Sequence, residues 1–178
     1  MPRTRALRAA AVASAVLLAI IGWYLGSPLF IRTTANEALP SVTVTTTPRA
    51  SSSAPPSATV AALTETPVTV LARGALQRVD DLHNGKGAVL LLRAGEPRYL
   101  RFEEVAITNA PDVHVYLSRE TGGKWSDATS LYLGPLRATN GSFNYEIPAG
   151  TDLTPYKSVV VWCRAFAVLV TWADLRPA

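Results

Sequence analysis

An antiparallel β-sandwich of about seven to eight strands is predicted for residues 67–178 of this 178-residue chain. Two observations predict it. Short apolar runs of strand length recur through the region, and turn residues separate them with no helical period of any length. A third observation sets the domain's limit: the strongly apolar part of the chain lies elsewhere, near the N-terminus, so it does not contribute to this core.

The elements follow in order. Arg3, Arg5 and Arg8 lie in residues 1–8, and the run AAAVASAVLLAIIGWYLGSPLFI over 9–31 holds no Asp, Glu, Lys, Arg or His. As a helix at 1.5 Å per residue it extends roughly 35 Å, enough to cross a bilayer's hydrocarbon core. Three arginines before the run, against Arg32 and then Glu37 after it, place residues 1–8 in the cytoplasm and everything after the run outside. The expectation is a single-pass cell-membrane protein with a signal-anchor over 9–31 and an extracytoplasmic C-terminal domain. A cleaved signal peptide is the rival, but the run is long for one, and Thr33-Thr34-Ala35 is a weak cleavage site.

Residues 32–66 are expected to form a stalk. From Leu39 to Thr66, 21 of 28 residues are Ser, Thr, Pro or Ala, a composition that buries too little apolar surface to offset its ordering entropy. The strand-like runs begin after Pro67. They are 68–72, 88–92, 98–102, 112–118, 130–134 and 143–147, with two adjacent runs ending the chain. Asn84-Gly85, Thr121-Gly122-Gly123, Asn140-Gly141 and Pro148-Ala149-Gly150 supply turn signals between them.

Charge excludes one class of function. The formal net charge is +4, but residues 67–178 carry 12 basic against 11 acidic side chains, and residues 1–66 carry five arginines against Glu37 and Glu65. The excess charge therefore belongs to the membrane-topology signal, and no nucleic-acid partner is expected. The single cysteine, Cys163, allows no intrachain disulfide, and with two histidines, His83 and His114, few soft or imidazole ligands are available. No metal site is expected from the spacing. The elbows, phosphate loops and facing carboxylates of common catalytic sites are missing, so an enzyme is not expected.

In the run KSVVVWCRAF, alternation puts Val159, Val161 and Cys163 on one face and Val160 and Trp162 on the other. Both faces are apolar, which marks a central strand. Cys163 then has two readings: a buried structural thiol, or a redox thiolate needing a positive neighbour and partial exposure. His114 shares a face with Tyr116, and His83 precedes a turn that its side chain could fix.

The stretch LRFEEVAITNAPDVHVYLS, the turn NYEIPAG and the motif WCRAF resemble the DM-thirteen domain family, named as an electron-transfer domain. The resemblance runs from about Thr69 to Leu175, and SPLFIRTTANEALP resembles the anchor region of bacterial members. It implies a β-sandwich at the cell surface. It also implies that Cys163 is the redox residue, as a free thiol or as ligand to a prosthetic group such as haem, with His114 or His83 as candidate further ligands. The electron partner would be another redox or cell-surface protein. The alternative is a non-enzymatic binding or adhesion module in which Cys163 is core.

Overall fold

The computed structural model describes residues 2–27, 32–41 and 67–178. The expected stalk beyond residue 41 and the last part of the expected anchor, 28–31, lie outside the described residues. A helix, α1 (Pro2–Gly26), stands where the anchor is expected. Its described side chains between residues 11 and 24 are all exposed, Leu17, Leu18, Ile20 and Trp23 among them. Among the described residues no helix is long and apolar enough to cross a membrane.

The remainder is mostly β. Ten strands occur among the described residues: β1 (Thr34–Asn36), β2 (Val68–Ala75), β3 (Gly85–Ala94), β4 (Arg98–Ile107), β5 (Val113–Ser118), β6 (Ser130–Pro135), β7 (Asn140–Ile147), β8 (Ser158–Cys163), β9 (Val168–Asp174) and β10 (Arg176–Pro177). They form two sheets, one of six strands in the order β1-β7-β4-β3-β2-β10 and one of four in the order β6-β5-β8-β9. Each apolar run of the sequence falls on one of β2 to β9. The two strands not expected, β1 and β10, are short and occupy the edges of the larger sheet.

One core joins the two sheets. Val89, Leu91, Leu100, Phe102, Phe143 and Tyr145 from the large sheet meet Val115, Leu117, Val159, Val161 and Cys163 from the small one. Period-two alternation puts these residues inside, since each strand turns every second side chain to the same face. Phe102 and Phe143 sit opposite one another on β4 and β7, their rings stacked at 5.0 Å. Strict alternation beyond Phe102 would turn Val105 and Ile107 outward, yet both are buried. A bulge corrects the phase, with Glu104 held at φ 47° and the register shifting between Phe102 and Val105.

Two turn expectations are corrected here. Asn140-Gly141 opens β7 instead of forming a hairpin turn. Gly141 has φ 99°, and a Cβ there would lie 2.1 Å from the Ala35 carbonyl oxygen, so its missing side chain admits β1 as a parallel neighbour. Asn84-Gly85 likewise leads into β3, and Thr171 fills the space that a Cβ on Gly85 would need.

Residues 32–41, which the composition assigns to the stalk, lie along the large sheet. Beyond the β1 ladder, the Glu37 carboxylate accepts from the backbone and side-chain amides of Asn144 at 2.9 and 3.0 Å and pairs with Arg137 at 3.2 Å. Burial alone would raise the Glu37 carboxyl, but the Asn144 amide and Arg137 outweigh it and hold it below the ordinary glutamate range. The buried Arg101 guanidinium donates to the Glu37 and Ala38 carbonyls, each at 3.1 Å, and to Asn144 at 3.0 Å. It also pairs with Glu103 at 2.5 Å. The chain thus reaches the domain through a docked edge strand, a tie that composition did not reveal.

Candidate electron-transfer site

Cys163 ends β8 at an interior position of the small sheet, between β5 and β9. Its side chain is completely buried in the shared core, and its Sγ–H donates to the Pro111 carbonyl at 2.8 Å. A thiol so enclosed has neither the exposure nor the positive neighbour that stabilises a thiolate. Arg164, next in sequence, points the other way.

His114 lies on β5 beside Trp162 of β8, while its neighbour Val113 pairs with Cys163. Alternation therefore places His114 and Cys163 on opposite faces of one sheet. The structure does not bring them to a common site. His83 belongs to a separate loop, where its Nδ1 contacts the Asp80 carboxylate at 2.8 Å. That contact and the backbone amides of His83 and Leu82 hold the Asp80 carboxyl below its ordinary range. His83 acts there as a turn-fixing group.

The outer face of the small sheet holds a cluster that the sequence did not assemble. His114 is buried with both ring nitrogens engaged: Nδ1 with the Tyr132 hydroxyl at 2.9 Å and Nε2 with Asp112 Oδ1 at 2.6 Å. Asp112 sits in the left-handed region at φ 57°, a conformation that Asp tolerates better than most residues. The Arg164 amide donates to its carbonyl at 3.0 Å, and the kink turns its carboxylate back toward the residue two positions on. Arg164 Nε donates to the Tyr116 hydroxyl at 2.7 Å, and its guanidinium lies 4.6 Å over the Tyr132 ring. Burial pushes the Tyr116 phenol up, with Arg164 opposing in part.

These rings form a continuous series. Trp162 stacks on Trp125 at 4.8 Å, Trp125 meets Tyr116 at 5.1 Å, Tyr116 meets Tyr132 at 5.3 Å, and Tyr132 meets His114 at 5.5 Å. Trp162, Tyr116 and Tyr132 come from three adjacent strands, whereas Trp125 is carried over the sheet by the loop before β6. The shared face of His114 and Tyr116 was legible from alternation. The loop's return with Trp125, and the cross-strand partners Tyr132 and Arg164, depend on pairing register.

Residues 77–175 match the family model described as Electron transfer DM13. The chain belongs to that family. No curated protein and no solved structure matches it.

For this DM13 domain the proposed prosthetic group can be tested against the residues present. A haem ligated by Cys163 needs open space at Sγ for the iron and macrocycle, but Sγ is enclosed by core side chains and already hydrogen-bonded. His114 faces away from it, and Asp80 occupies His83. The described residues do not fit a Cys163-ligated haem, and among them no group of three or more His, Cys, Asp or Glu side chains could hold a metal ion. A cleft of about 690 Å³ lies elsewhere, lined by Arg73, Gln77, Trp172, Asp174 and Arg176 among others.

Proposed function

We propose that this DM13 domain passes single electrons across the outer face of its four-stranded sheet, through the aromatic series from Trp162 to Tyr132. The observation that carries the proposal is ring continuity, with no gap between centroids above 5.3 Å along those four rings. Family membership supplies the electron-transfer class. In this reading Cys163 is a structural thiol: its burial and its bond to Pro111 suit packing better than exchange. The electron partner is another redox or cell-surface protein, since the chain shows no flavin or dinucleotide motif.

We propose further that the run 9–31, of which 28–31 lie outside the described residues, anchors the domain outside the cell; its lack of charge and Arg3, Arg5 and Arg8 before it support this. Protease added to intact cells should release the domain. Digestion seen only after lysis would reverse the orientation.

The electron path is tested by oxidising a tryptophan of the full chain with a pulse of azide radical and following tyrosyl radical formation. Trp125→Leu removes the ring that joins Trp162 to Tyr116 and is expected to slow that migration about tenfold or more. Unchanged kinetics in Trp125→Leu would defeat the path. A binding module is the second reading, favoured by the cleft at Arg73 and Arg176; radical migration confined to solvent encounters would leave it standing.

A further inference from the structure

The aromatic series ends on a phenol whose hydrogen-bond partner sets it apart from its neighbours in the series and from Tyr145 of the core. Tyr145 donates its hydroxyl to the Pro135 carbonyl at 2.8 Å, and a carbonyl takes no proton at ordinary pH. The Tyr116 hydroxyl accepts from the Arg164 guanidinium, a group that cannot act as a base. Trp125 Nε1 is buried and has no hydrogen-bond partner among the described residues. Tyr132 alone of these four is bonded to an imidazole. Because the Asp112 carboxylate can only accept, it fixes the proton of neutral His114 on Nε2 and leaves Nδ1 to accept from the Tyr132 hydroxyl.

We propose that Tyr132 is a proton-coupled one-electron redox site whose phenolic proton passes to Nδ1 of His114. The inference rests on the electron-transfer reading and names the residue at which the electron is given up. A one-electron oxidant of high potential, such as the oxidised metal centre of a partner protein, takes one electron from Tyr132 and is reduced by one. The phenolic O–H bond breaks as an N–H bond forms at Nδ1, leaving a neutral tyrosyl radical and an imidazolium paired with Asp112. A one-electron donor reverses both transfers, returning the proton to the oxygen.

The surroundings favour this coupling. The Arg164 guanidinium, 4.6 Å above the ring, opposes a positive charge on Tyr132, so loss of the electron without the proton is disfavoured. The proton has a prepared site at 2.9 Å, within direct-transfer reach, and the charge it creates lands 2.6 Å from a carboxylate. Tyr132 is also the exposed member of the group, at 44% of its surface, so a partner can approach it without displacing the buried Tyr116.

The test oxidises the full chain in detergent with flash-generated tris(bipyridine)ruthenium(III) and records the radical by electron paramagnetic resonance. A tyrosyl signal is expected that Tyr132→Phe abolishes. Its formation in the unsubstituted chain should slow in D₂O, and His114→Gln should slow it about tenfold or more. A full-yield signal in Tyr132→Phe would overturn the proposal, as would the absence of any solvent isotope effect, a measurement that needs no variant. If His114→Gln matches the unsubstituted chain while Trp125→Leu still slows migration, the proton relay fails and the electron path survives. Failure of both removes the electron-transfer reading itself.

Discussion

A thiol reagent added to the folded chain is expected to modify Cys163 at least about five thousandfold more slowly than it modifies the denatured chain. The side chain has no exposed surface and lies in the layer between the sheets, so reagent reaches Sγ only when that layer opens. Opening the core of a domain costs about 5 kcal/mol or more, which sets the factor. Cys163→Ala should lower stability by about 1–3 kcal/mol, because it empties a packed position and leaves the Pro111 carbonyl without its donor. Mass spectrometry of timed labelling reactions, with a denaturant-unfolded control, gives the comparison. Labelling of the native protein at the rate of the control would return the redox role to the thiol.

Phe102→Ala is expected to cost about 3–5 kcal/mol, the range for removing a fully buried aromatic ring. Phe102 is wholly inaccessible, stacks on Phe143 at 5.0 Å and meets the edge of Tyr145 at 5.9 Å. These three rings form one mutually contacting cluster in the core, on strands β4 and β7 of the large sheet. For a domain of this size the loss corresponds to a fall in Tm on the order of 15–25 °C, read by circular dichroism. A fall of only a few degrees would show that the sheets close over the gap and that this ring cluster does not set the spacing between them.

The strands were legible because each carries its own period. DVHVYLS and VVVWC place alternate residues on opposite faces, and that alone puts Cys163 with the valines and His114 with Tyr116. Bulges were not legible: Glu104 breaks phase through a backbone angle that its residue type does not announce, and Asn140-Gly141 carries a hairpin signature while serving the approach of β1. Residues 32–41 reach the sheet through backbone pairing and through Glu37 and Arg101, contacts between parts of the chain more than sixty residues apart. The site was half visible for the same reason. His114 stood out as one of two histidines, but Asp112, Tyr132 and Arg164 acquire meaning only from register and from the left-handed backbone at Asp112.

Cys163 faces the core, and ordinary residues occupy the reverse side of the same strand. Trp162 precedes Cys163 and faces outward, into stacking contact with Trp125. One strand therefore carries both candidate redox elements, and they are separated by the sheet itself. In the proposed path electrons use the outer face.

The most direct measurement is the fate of an indolyl radical in Cys163→Ala compared with the unsubstituted chain, after a pulse of azide radical at several protein concentrations. Tyrosyl absorption is expected to grow as indolyl absorption decays, with the same first-order rate in both proteins and no dependence on concentration. Loss of that migration in Cys163→Ala, with the fold intact, would contradict that expectation and place the electron path through the thiol.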